Sequence, residues 1–375
     1  MKKNRLVSNP SLGLMIVAAG CAMDARRRNL GRAKFADLVQ GGISSFQEGT
    51  VADQTRLLQI AVDGLGVYNA NPDPIVERMS TLVTRETVKV SQAPKEFNKY
   101  ADGSSGLRTR SVRRLLSTPL LSYHLADQFT VEALMDMRED DLMNEVDTAI
   151  RGDADLVNSL FWYSMLTKKT AGSVSSAYIA SFYNGETDVP PYRQNAFASA
   201  HYHYKGSNTS DFTKAVFDEM IADVQEHGYG LEPGTLELAF HSSSNDDVNA
   251  LFNSASNILQ AGTPSRQTAI DRGVRAPGVL LNGVALRPDD YVPAGYFALY
   301  ATNEQILNRR EHETEQFRGL MLFREGGFSP EFPLAGTQFM RRIGFSARHL
   351  GAATFRQIVG STTYTNPTFR HPACS

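Results

Sequence analysis

The apolar positions of this chain change period along its length, from helical spacing in the first half to short alternating runs in the second. Between Val51 and Val67, residues Leu57, Leu58, Ile60, Ala61 and Leu65 fall on one side of a helix, with Gly64 or Gly66 as its stop. Leu82 to Val90 mixes β-branched residues with partial alternation and reads as a strand. The polar stretch after it, from about Pro94 to Arg110, is longer than compact domains tolerate without a function, which predicts an excursion toward a neighbouring molecule. The helical period returns from Thr130 to Thr167. Thr130 caps, Glu132 sits in the first turn, and Leu134, Met137, Leu142, Val146 and Ile150 share a stripe. After an interruption at Gly152-Asp153 the stripe resumes through Leu156, Val157, Leu160, Phe161, Met165 and Leu166, ahead of Lys168 and Lys169. Asp211 to His227 predicts a further helix, with Phe212, Ala215, Val216, Met220 and Val224 on one face and Gly228 and Gly230 as stop signals. Beyond Pro233, strands are predicted at Leu236–Phe240, Gly278–Leu281 and Tyr296–Tyr300, with a helix at Asp246–Ile258. Helices first and mixed elements later argue for an α+β class with segregated elements.

Composition narrows the class without naming a function. The 375 residues leave room for about two to three domains' worth of packing, and a formal net charge of −2 places the chain among ordinary globular proteins, with no charge extreme that points to nucleic acid. Cys21 and Cys374 are too few for a disulfide framework or a four-cysteine metal site and suit a reducing cytoplasm. The first forty residues carry a local positive excess: Lys2, Lys3, Arg5, Arg26, Arg27, Arg28, Arg32 and Lys34 against Asp24 and Asp37. Leu12 to Met23 has the outline of a secretory signal, but Gly13 and Gly20 break it and charges follow at once, so it is read as a buried N-terminal segment. No segment is long enough to span a bilayer.

Candidate chemistry is sparse. His201-Tyr202-His203 places alternate histidines on one side of a strand, where they could ligate a metal if His227 or Glu226 supplied a third ligand; structural histidines are the preferred reading. His312-Glu313 opens like a zinc-protease helix, but residue 316 is glutamine. Gly64-Leu65-Gly66 lacks the third glycine of a dinucleotide fingerprint, and Ser104-Ser105 and Ser242–Ser244 lack the flanks of a nucleophile elbow. Arg108, Arg110, Arg113 and Arg114 form a basic cluster that would suit DNA, an acidic neighbour or plain solvent equally. No catalytic, cofactor-binding or metal residue is assigned, and no enzyme activity or cofactor is expected.

Several segments of the C-terminal half, taken together, resemble the major capsid proteins of tailed bacteriophages, whose fold is shared with encapsulin shells and the herpesvirus capsid floor. They are Phe197 to Tyr204, Gln225-Glu226-His227-Gly228-Tyr229, Leu236 to Phe240, Asp290 to Tyr296, Arg310 to Glu313, and Phe317-Arg318-Gly319-Leu320. Pro333 to Gly344 and Arg348 to Ala353 complete the set, so the resemblance spans roughly residues 197–358 and rests on joint order. Upstream it rests on architecture alone.

The resemblance implies an α+β capsid fold divided into an N-terminal arm and helical region (1–80), an extended loop (81–125), and a peripheral domain (126–235) whose spine helix covers about 130–169. An axial domain (236–334) and a return to the peripheral domain with the C-terminal tail (335–375) follow. It implies self-assembly into pentamers and hexamers of an icosahedral shell around double-stranded DNA. The expected partners are other copies of the chain, portal and scaffolding or decoration proteins, and DNA by non-specific contact, with no membrane. The implied location is the virion, after synthesis in the host bacterial cytoplasm. Scaffolding, if used, is expected as a separate chain, and the basic arm from Lys2 to Lys34 is expected on the inner surface. Some relatives crosslink lysine to asparagine. Lys95 or Lys99 would be the lysine, but no asparagine or acid partner is evident, so no crosslink is expected. The rival readings are an encapsulin-like protein compartment and, from another class, a metal-dependent enzyme built on His201 and His203.

Overall fold

The computed structural model describes residues 51–91, 113–128, 130, 139–169, 178–179, 181–186, 189, 191–192, 197, 201–253, 280–281, 283–324 and 336–374. Its elements in chain order begin with α1 (Val51–Asn69), α2 (Pro74–Met79), β1 (Ser80–Val83), β2 (Thr87–Ser91), β3 (Arg113–Ser117), β4 (Leu121–Gln128) and α3 (Glu139–Leu166). They continue with β5 (Tyr178–Ile179), β6 (Tyr204–Gly206), α4 (Lys214–Gln225), β7 (Leu236–Phe240), α5 (Asn245–Asn253), β8 (Leu280–Leu281) and β9 (Val284–Pro288). The last are β10 (Tyr296–Ala301), β11 (Leu307–Arg310), β12 (Leu320–Arg324), β13 (Thr337–Ala347) and β14 (Ala353–Gln357). The basic N-terminal stretch, the segment Leu12–Met23 and the excursion at Pro94–Arg110, with Lys95 and Lys99, lie outside the described residues.

Among the described residues, three sheets organise the chain. One has the order β1-β11-β13-β12, with β4 also paired to β13; the second runs β6-β14-β10-β7-β9-β8; the third is β2-β3-β5. The strand expected across Leu82–Val90 is therefore two strands in different sheets. β1 pairs in parallel with β11, β2 pairs antiparallel with β3, and the turn at Thr84–Glu86 separates them. The incomplete alternation of that segment has its cause here, because its two halves face different partners. Ser91 and Arg113 are Cα partners in the β2–β3 ribbon.

α1 runs past both glycines to Asn69, a correction to the expected stop. Ala61 and Leu65 pack against Leu142, Val146 and Ala149 of α3 and against Leu320 and Phe339. That burial outweighs the roughly 1 kcal/mol that each helical glycine costs. Asn69 then ends the helix by bonding both the N–H (2.9 Å) and the C=O (2.8 Å) of Leu320.

α3 is 28 residues long, about 42 Å at the helical rise, and passes through Gly152-Asp153 without a break in its assignment. Asp153 occupies the stripe position between Ala149 and Leu156/Val157 and is buried there. It survives because Tyr68 donates its hydroxyl at 2.9 Å and Arg341 lies 3.1 Å away. Burial pushes the Asp153 carboxyl above its ordinary range, and Arg341 and the tyrosine pull it back. Further along, Phe161 packs edge-on to Phe345 of β13 and Trp162 against Tyr300 of β10, so one helix joins the cores of the two larger sheets.

In the six-stranded sheet all six residues of β10 are buried between β14 and β7. This explains its unbroken apolar run. α4 lies over this sheet, capped by Thr213, whose side chain accepts from Val216 N–H. Thr213→Ala should cost about 0.5–1 kcal/mol in urea unfolding, the lower part of the N-cap range because the bond is long; no change in the midpoint would show that the cap contributes nothing. Gly228, at φ +87°, ends the helix where a β-carbon would collide with Tyr192, as the glycine stop predicted. β12 and β13 pair across residue 334, and β14 pairs with β10. No helix among the described residues is long and apolar enough to cross a membrane.

Candidate functional site

The histidines singled out by sequence precede a strand instead of lying in one, since β6 begins at Tyr204. Their alternation still sorts them. His201 and His203 are 5% and 0% exposed, while Tyr202 between them is 46% exposed. Backbone bonds hold this segment: His203 N–H donates to Tyr183 C=O (3.1 Å), and Phe355 N–H donates to His203 C=O (2.6 Å).

His227 arrives from the turn that closes α4, its N–H donating to Val224 C=O at 3.2 Å. Its imidazole Nε2 stands 3.0 Å from Nε2 of His201. One ring nitrogen from each of His201, His203 and His227 lies within 4.8 Å of the others, and all three residues are buried. The ring of Tyr183 packs against all three, and Phe197 packs against His201 and His227. Gly351 lies so close that a β-carbon there would come within 2.4 Å of the His227 ring.

The outer nitrogens are partly engaged. His203 Nδ1 is 2.5 Å from the C=O of Ala353, so it carries the proton and leaves Nε2 with a lone pair. Nε2 has no hydrogen-bond partner among the described residues, and neither does Nδ1 of His227. Glu226 Oε2 stands 2.7 Å from His201 Nδ1, off the line of a good hydrogen bond. Burial drives the imidazoles toward the neutral form: His203 well below its ordinary value, His227 down to about 3, and His201 downward against the pull of Asp223 and Glu226. Three buried imidazoles held toward the neutral form are a donor set suited to a transition metal.

Behind the histidines lies an ionic network that sequence reading missed. Arg356 of β14, 1% exposed, contacts Asp223 of α4 through Nη2 and donates from Nη1 to Thr354 Oγ1 (2.9 Å) and Phe355 C=O (3.1 Å). Lys205 reaches Glu219 at 2.7 Å and Asp223 at 3.5 Å. The available signal was Asp223 itself, a charge on the buried stripe of Val216, Met220 and Val224.

The remaining motifs do not converge. Gly64-Leu65-Gly66 lies inside α1, and Ser242–Ser244 forms a single 3₁₀ turn. His312 sits in a loop, where its Nδ1 accepts from Thr314 N–H at 3.0 Å. Arg113 and Arg114 lie in β3, whereas Arg108, Arg110, Ser104 and Ser105 lie outside the described residues.

A chain of Mycobacterium phage Patience superposes on this one with a TM-score of 0.56 and 20% identity, covering 88% of this chain and 96% of that one. This is the tailed-phage major capsid fold. Looser likenesses are the asymmetric unit of the bacteriophage PhiM1 mature capsid and a virus-like particle from Pyrococcus furiosus. The first has a TM-score of 0.46 and 9% identity, over 77% of this chain and 88% of that one. The second has 0.36 and 9%, over 80% and 98%. No family model and no curated protein matches the sequence.

Proposed function

We propose that the chain is a shell subunit, the major capsid protein of a tailed phage, which assembles through copies of itself into pentamers and hexamers of an icosahedral head around double-stranded DNA. The observation that carries this reading is the capsid fold, shared along most of both chains with the Mycobacterium phage Patience chain. The β2–β3 ribbon supports it: Ser91 and Arg113 are Cα partners, and the sequence between them holds the polar stretch from about Pro94 to Arg110. Such a stretch suits a contact between subunits, where area buried on neighbours supplies cohesion. In this reading 81–125 is the extended loop and α3 the spine. The peripheral and axial parts follow the five- and six-stranded sheets more closely than the limit at 334, since those sheets are the units that pair. Portal, scaffolding or decoration proteins and packaged DNA are the remaining proposed partners.

The test is size exclusion and negative-stain microscopy of the full-length chain, alone and with a candidate scaffolding protein. Closed icosahedral particles or rings of five and six subunits are expected. Particles filled with protein cargo would favour the encapsulin-like compartment, and a monomer or dimer under every assembly condition would overturn the shell reading.

A further inference from the structure

We propose that His201, His203 and His227 bind one zinc-type divalent metal ion, which ties the end of α4 to the segment entering β6. The geometry supplies most of what such a site needs. Two nitrogens on a tetrahedral zinc stand about 3.3 Å apart for Zn–N bonds of roughly 2.0–2.1 Å. The Nε2 atoms of His201 and His227 are already at 3.0 Å, and the ligand atom of His203 is within 4.8 Å of both. Small side-chain rotations complete the triangle.

The outer contacts of His203 and His201, though not of His227, match those of ligating histidines, which commonly give their second nitrogen to a carbonyl or a carboxylate. Ala353 C=O takes that place at His203, and Glu226 stands beside Nδ1 of His201. The alternative is a bare hydrogen bond between His201 and His227, with one shared proton. That arrangement leaves His203 Nε2 buried with no partner among the described residues. A metal uses all three lone pairs at once. Because the three residues are at most 8% exposed and walled by Tyr183 and Phe197, the ion is a structural tie and not a substrate-facing centre.

Three segments of the chain meet at this point: 201–203, the α4 terminus at 226–227, and 351–353. They are far apart in sequence, so an ion bound only in the folded chain raises the folded-to-unfolded ratio. At a free zinc concentration a hundred times the Kd, that ratio rises about a hundredfold.

The inference is independent of the shell reading, because it is tested on the unassembled full-length chain, purified without a histidine tag and stripped with chelator. Cobalt(II) titration is expected to give one equivalent with the intense visible absorption of a tetrahedral site, and zinc chloride should raise the melting temperature, reversibly with EDTA. His203→Gln should abolish both effects, whereas His241→Gln, outside the cluster, should retain them. Should His203→Gln fail to fold, zinc X-ray absorption on the wild-type chain decides, with three imidazole nitrogens expected at about 2.0–2.1 Å. No cobalt uptake with melting indifferent to zinc and EDTA would overturn the proposal, leaving hydrogen-bonded core histidines. Uptake that survives in folded His203→Gln, or a zinc shell without imidazole, would overturn it as well.

Discussion

Arg356→Ala is expected to destabilise the subunit by about 3–5 kcal/mol, the cost of leaving one partner of a buried ion pair uncompensated. Asp223, itself buried, would be left with Lys205 at 3.5 Å, His201 Nδ1 at 3.9 Å and a weak bond from Thr354 Oγ1 at 3.4 Å. Asp223→Ala should cost less, about 1–3 kcal/mol, since the guanidinium, 1% exposed, keeps Glu219 at 3.5 Å as a second carboxylate. The double variant should be less destabilised than the two single losses added together, with a coupling of roughly 0.5–3 kcal/mol. Urea unfolding of unassembled subunits, followed by circular dichroism, reads all three. If either single variant lost less than about 1 kcal/mol, the pair would not be what fixes α4 to β14.

A second large effect is expected at Trp162, the chain's single tryptophan, which is fully buried. Trp162→Ala removes the side chain that packs against Phe161 and Tyr300, where α3 meets β10. Truncations of this kind cost about 3–5 kcal/mol, roughly a fifth or more of the 5–15 kcal/mol stability of an ordinary domain. Because the indole N–H has no partner among the described residues, Trp162→Phe should be far milder, about 1–2 kcal/mol or less. Equal losses for the two variants would show that the indole's size is not what holds α3 to the sheet.

Elements governed by local pattern were legible in the sequence. α4 appeared within three residues of its expected limits because Thr213, an apolar stripe and Gly228 all act within the helix or one turn of it. β7 and β10 were legible for a related reason: strands at the centre of a sheet read as short apolar runs between turn residues. Where the reading slipped, a distant partner had overruled the local signal. Asp153 looked like an interruption because Tyr68 and Arg341, which neutralise its burial, lie 85 and 188 residues away. Gly64 and Gly66 looked like a stop because the packing that carries α1 past them comes from α3, β12 and β13.

The candidate site divides in the same way. Alternation alone put His201 and His203 on one side and Tyr202 on the other, and that survives even though no strand forms there. Sequence also named His227 and Glu226 as candidate third ligands. It had no means of bringing them near, because the approach depends on how α4 lies across β14 and on the close passage of Gly351. The sequence by itself determined the kinds of element, their order and which side chains turn inward, since these follow from spacing within a few residues. Only the tertiary structure decided which strands pair, that Leu82–Val90 serves two sheets, and that three imidazoles share one pocket. Those outcomes depend on contacts between residues far apart in the chain, whose cost in chain entropy is met only by the packing of the whole molecule.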